Sequence, residues 1–175
     1  TPVHSLPGAR DRTVAISSAG KTFAATGWKI GWATGPADLI DAAMTVKQYL
    51  TYVNGAPFQP AIAVGLRLPD AFFTGIADTL RRKRDLLGAG LTAAGLAVSP
   101  PAGSYFTVAD AAPVGATDAD AFCRSLPDRA GVVAVPITAF VTAERRADYA
   151  TLVRFAACKR EDVIRDAGAR LAAMG

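Results

Sequence analysis

Residues 13–32 read Thr13-Val14-Ala15-Ile16-Ser17-Ser18-Ala19-Gly20-Lys21-Thr22-Phe23-Ala24-Ala25-Thr26-Gly27-Trp28-Lys29-Ile30-Gly31-Trp32, a run of small residues and hydroxyls holding two lysines between apolar flanks. Thr13 to Ile16 reads as a short strand. Trp28, Ile30 and Trp32 alternate with Lys29 and Gly31 at the strand period of two, which predicts a second strand with Lys29 leaving the indole face. Small residues between two strands let backbone N–H groups and serine hydroxyls approach an oxyanion closely, and Lys29 supplies countercharge. Lys21 lies at the mouth of that loop, where a neutral amine can attack a carbonyl carbon. The segment is an anion site with a candidate nucleophile.

Two chemistries compete for it. Gly20-Lys21-Thr22 is the tail of the nucleotide-hydrolase phosphate loop G-x-x-x-x-G-K-[ST], and Tyr105 to Asp110 could pass for a magnesium-binding strand. The opening glycine of that loop is replaced by Ala15. Gly27, Gly31 and the alternating tryptophans oppose the helix such a loop must open. The second chemistry is a lysine Schiff base to pyridoxal phosphate, with Ser18 and Lys29 holding the phosphate. It uses more of the residues.

The stretch SLPGARDRTVAISSAGKTFAATGWKIGWATGP (5–36) closely resembles the lysine-bearing segment of class I pyridoxal-phosphate aminotransferases, in the branch of kynurenine, glutamine and N-succinyldiaminopimelate aminotransferases. The resemblance continues in family order through KQYLTYVNGAPFQPAIAVGL (47–66), AGSYFTVAD (102–110), GVVAVPITAF (131–140) and LVRFAACKRED (152–162). It implies that Lys21 carries pyridoxal 5'-phosphate and is the catalytic base, and that Ser18 and Lys29 contact the phosphate. It also implies that Arg154 clamps the substrate α-carboxylate, with Tyr105 and Phe106 lining the substrate side. Thr138 stands where a serine is usual in relatives. The implied reaction moves an amino group between an amino acid and a 2-oxo acid, N-succinyldiaminopimelate being the first expected donor and lysine biosynthesis the setting.

Arg154 is conspicuous without any relative. Leu152-Val153-Arg154-Phe155-Ala156-Ala157-Cys158 is otherwise apolar and reads as a buried strand, so the guanidinium needs an anionic partner. From the residues alone, a salt bridge to Asp110 or Glu161 and a ligand clamp are equally open. The resemblance favours the clamp, because planar bidentate recognition of carboxylate is what arginine does better than lysine.

The resemblance further implies an α/β chain that is the C-terminal portion of a fold type I pyridoxal-phosphate transferase: the end of the large-domain mixed sheet over residues 1–68, then an α+β small domain over 69–175. Helices are expected from Pro36 to Tyr49, Gln59 to Leu66, a long one ending near Gly95, Asp118 to Leu126, and from Glu161 onward. Strands are expected at Tyr105 to Ala109, Val132 to Val135 and Leu152 to Cys158. In the family, the aspartate paired with the pyridine nitrogen and the aromatic stacked on the ring precede the lysine, and no motif here matches them. The isolated chain is therefore expected to be a poor catalyst.

Composition bounds the alternatives. At 51% hydrophobic and 19% charged residues the chain has material for a core and is no disordered tail. The longest apolar stretch, Ala130 to Val141, is too short to span a bilayer, so no membrane partner is expected. Cys123 and Cys158 lack metal-ligand spacing, no metal is expected, and both thiols are expected to be buried and reduced, as in a cytoplasmic protein. His4 is expected in a surface loop. The net charge of +4 and Arg81-Arg82-Lys83-Arg84 raise a nucleic-acid module, but four consecutive helical positions fan over about 300° instead of forming a stripe. No nucleic-acid partner is expected; a homodimer is the family expectation.

Overall fold

The computed structural model describes residues 2–174. They form two compact units, divided between Thr74 and Gly75.

The first unit opens with two 3-10 turns, then β1 (Ala15–Ser18), α1 (Ala19–Thr22) and β2 (Gly31–Thr34). β1 and β2 form the expected antiparallel hairpin, registered from Ala15 opposite Thr34 to Ser18 opposite Gly31. At Gly31 a Cβ would lie 2.6 Å from the Ser17 carbonyl oxygen, so only glycine lets the strands close here. Two helices follow: α2 (Ala37–Leu50), with Pro36 at its N-cap and Asp38 in its first turn, and α3 (Phe58–Gly65). The small core is Ala19, Ile30 and Ile62, with Phe23 and Trp32 packed on it.

The strand expected over Trp28 to Trp32 is not continuous. Thr26–Trp28 is a 3-10 turn, Lys29 sits in the left-handed region at φ 54°, and β2 begins only at Gly31. The two apolar residues are covered separately: Trp28 stacks on Phe58 at 4.7 Å between centroids, while Ile30 enters the core. An alternation that looks like one strand face is thus a buried Ile30 and an exposed Trp28 ring stacked on a neighbour.

The long helix α4 (Asp70–Ala93) contains the division between the units, which falls at Thr74 and Gly75. Beyond it come β3 (Ala97–Ser99), β4 (Phe106–Asp110), α5 (Ala119–Ala130), β5 (Val135–Pro136), β6 (Leu152–Ala156) and α6 (Glu161–Ala172). The strands form one antiparallel sheet in the order β3-β4-β6-β5. Asp118 caps α5, accepting from the Ala121 N–H at 2.9 Å, and Gly131 ends the helix at φ 60°. Leu91, Leu126, Val153 and Leu171 are the largest fully buried apolar side chains of a core contributed by α4, α5, β6 and α6. Gly90 and Gly168 let the backbones of α4 and α6 meet: a Cβ on either would be 3.1 Å from the other's Cα.

Several expectations change in detail. The strand at Val132 to Val135 shrinks to Val135–Pro136, the one at Leu152 to Cys158 ends at Ala156, and β3 was not foreseen. α5 runs past Pro127 to Ala130. Cys123 is buried, but Cys158 is exposed. Burial and the neighbouring Asp120 carboxylate push the Cys123 thiol up to about 11. The arginine run on α4 is engaged within the protein. Arg81 pairs with Asp78 and Arg84 with Asp85, each at 2.6 Å, and Arg82 reaches Glu161 at 3.9 Å. Among the described residues no helix is long and apolar enough to cross a membrane.

Candidate active site

The hairpin and the turn between its strands build one pocket of about 440 Å³, lined by Ser18, Gly20, Lys21, Thr26, Lys29, Ile30 and Gly31. Ser18, Lys21 and Lys29, separated by up to eleven residues of sequence, are therefore brought together. The Ala19 N–H donates to the Ile30 carbonyl at 2.9 Å and closes the base of the loop. Ser18 ends β1 with its Oγ accepting from the Gly20 N–H at 3.2 Å, which leaves the hydroxyl proton free for a further acceptor. Lys21, on the single turn of α1, is exposed.

Lys29 is in a conformation that costs a residue with a Cβ about 1–2 kcal/mol. The Asn54 side-chain amide stabilises it, donating to the Lys29 carbonyl at 2.9 Å, and the Gln59 amide in turn donates to the Asn54 carbonyl at 2.7 Å. Asn54 is thus a positioning residue. In sequence, Asn54-Gly55 signals only a turn; its partner lies twenty-five residues away.

The chemistry of this pocket fits a phosphorylated aldehyde: two primary amines, a hydroxyl with a free proton and close backbone access at Gly20 and Gly31. It does not fit the nucleotide-hydrolase loop. The helix after Gly20-Lys21-Thr22 ends at Thr22, and the next strand returns antiparallel.

In the second unit, Arg154 stands at the middle of β6, opposite Val108 of β4 and Val135 of β5. Its guanidinium lies between two aromatic rings, 3.9 Å from the Phe106 centroid and 4.3 Å from the Phe140 centroid. Phe106 pairs with Ala156, so it is the diagonal same-face neighbour of Arg154. Tyr105 packs against Phe106 at 4.4 Å, just before β4. Neither expected salt-bridge partner is used: Asp110 accepts from the Ala112 N–H at 2.9 Å, and Glu161 faces Arg82 and Arg165. That backbone bond, with help from Thr151, holds the Asp110 carboxyl below its ordinary range. The Arg154 Nε is buried without a hydrogen-bond partner. A guanidinium against two aromatic rings, with no hydrogen-bond partner at Nε, can still take an anion through its N–H groups.

Phe140 is held by an anchor that the sequence did not reveal. It ends the 3-10 turn Ile137–Phe140, whose buried Thr138 donates to the Asp120 carboxylate at 2.6 Å; Arg146 donates to the same oxygen at 3.2 Å. The Thr138 hydrogen bond, more than the arginine charge, keeps the Asp120 carboxyl below its ordinary range.

The chain belongs to the Aminotransferase class I and II family, which it matches over residues 3–167. Enzymes of this family depend on pyridoxal phosphate. The structure of N-succinyldiaminopimelate aminotransferase from Mycobacterium tuberculosis superposes with a TM-score of 0.90 at 46% identity, covering 99% of this chain and 45% of that one. A methionine aminotransferase from Escherichia coli gives 0.90 at 34% identity, with the same coverage. Kynurenine–oxoglutarate transaminase 3 of Rattus norvegicus is 34% identical over 93% of this chain and 39% of its own length. The chain thus spans less than half the length of these relatives, and its fold is that part of fold type I.

Proposed function

We propose that this chain contributes the lysine-bearing and carboxylate-clamping parts of a pyridoxal-phosphate aminotransferase that moves an amino group between an amino acid and a 2-oxo acid. The observation that carries this reading is the convergence of Ser18, Lys21 and Lys29 on one pocket in a chain of this family. Pyridoxal phosphate, when bound, supplies the electron sink that makes a substrate Cα–H acidic. Ser18 and Lys29 bind its phosphate through a hydroxyl donor and an ammonium. Lys21 Nζ would hold the cofactor and, as a free neutral amine, would take the proton from the substrate Cα as general base and give it up again as general acid. Arg154 would hold the substrate's α-carboxylate through its planar N–H groups.

For the donor we propose N-succinyldiaminopimelate, supported by 46% identity to the Mycobacterium tuberculosis enzyme against 34% to the kynurenine and methionine enzymes. Active-site assembly as a homodimer in the cytoplasm goes with the same reading. The first unit leaves Ile16, Met44, Tyr49 and Leu50 60% exposed or more, Tyr49 and Ile16 each at 83%. Such apolar surface suits burial by a second copy or by the remaining length of an aminotransferase. The test is a segment swap, with this chain replacing the matched 45% of the Mycobacterium tuberculosis enzyme. Lys21→Ala in that protein should lower transamination by at least about a thousandfold. Activity within a few fold of the parent would refute the assignment.

A further inference from the structure

Phe140 is 56% exposed, yet its ring centroid lies 4.3 Å from the Arg154 guanidinium carbon, and that of Phe106 lies 3.9 Å from it. The ring lies outside the buried core, and its contact with the cation is a specific one. We propose that Phe140 and Phe106 are positioning residues for Arg154: they sandwich the guanidinium so that it meets a carboxylate only edge-on, and the Asp120–Thr138 hydrogen bond holds Phe140 in that place. The inference rests on reading Arg154 as the carboxylate clamp and adds what orients it.

An arginine side chain with free faces samples many rotamers, and each binding event must order it. Stacking on both faces removes that freedom in advance. Both contacts also leave the in-plane N–H groups uncommitted, since a ring face accepts the charge without taking the hydrogen bonds. The sandwich comes from three elements. Phe106 is set by the β4–β6 register, Arg154 by β6 itself, and Phe140 by the turn that follows β5. That turn is tied to α5 through Thr138 and Asp120 at 2.6 Å, with Arg146 bracing the same carboxylate at 3.2 Å.

The test uses the whole 175-residue chain, labelled with ¹⁵N at arginine, and reads the Arg154 Nε–H resonance, assigned by its loss in Arg154→Lys. In the wild-type chain the resonance should lie upfield of exposed arginines through the two ring currents. It should move on titration with 2-oxoglutarate, with chloride at equal ionic strength as the screening control. Phe140→Ala should return the resonance toward the exposed position and weaken the titration about fivefold to tenfold, and Phe140→Tyr should restore both. Thr138→Val should shift the resonance in the same direction as Phe140→Ala without touching either ring. If Phe140→Ala changes neither position nor affinity while 2-oxoglutarate still moves the resonance, the clamp reading stands and the positioning role is wrong. If 2-oxoglutarate leaves the wild-type resonance unmoved, the clamp reading fails and the proposal with it.

Discussion

Lys29 shows how much of this site lies in a single backbone angle. Placed on a strand, its ammonium would have been directed by the pleat; at φ 54° it is directed instead by a turn that Asn54 pins through the Lys29 carbonyl. Asn54→Ala in the segment-swapped enzyme should therefore weaken pyridoxal phosphate binding about threefold to tenfold, the worth of roughly one hydrogen bond, with little change in amino-acid affinity. A fluorescence titration with cofactor, alongside KM for the donor, separates the two. The cysteines give a second check. Cys123 is buried with its thiol raised to about 11, so it stays protonated and unreactive at pH 8, whereas Cys158 is exposed. One thiol per native chain should react with Ellman's reagent at pH 8, and both after unfolding. Rapid reaction of two native thiols would contradict the packing of α5.

At the scale of elements, long periodic segments were legible and short or long-range features were not. α2, α4 and α6 announce themselves through helical spacing, Pro36 and Asp38, and β6 through its apolar run. β3 has three residues, too few for any period, and the 3-10 turns have no apolar repeat at all. The lysine segment was readable because its chemistry is local: Ser18, Lys21 and Lys29 are close in sequence. Phe140 was not, because its partner is reached only through the β5–β6 pairing and an aspartate eighteen residues before Thr138. The helix crossing offers a stability test. Gly168→Val should cost about 1–3 kcal/mol in urea unfolding, since its Cβ would press on the Gly90 backbone at 3.1 Å. Gly75→Ala, on the open side of α4 with nothing within 4 Å, should instead be neutral or stabilising by about 0.5–1 kcal/mol. Equal effects at the two positions would mean that α4 and α6 do not approach through their glycines.

Over the whole molecule, the chain supplies the proposed nucleophile, phosphate cradle and carboxylate clamp, but the described lining of the pocket around Lys21 includes no acidic side chain to pair with a pyridine nitrogen. The 175 residues alone should accordingly bind pyridoxal phosphate weakly and show no turnover in a coupled 2-oxo-acid assay, because an uncompensated ring nitrogen is a poor electron sink. The account rests most heavily on Lys21 as the residue that carries the cofactor, and borohydride reduction of the cofactor-loaded segment-swapped enzyme, followed by peptide mapping of this segment, tests that most directly. The prediction is a single pyridoxyl group on Lys21; a group on Lys29, Lys47, Lys83 or Lys159 instead, or one spread evenly among the five lysines, would contradict it.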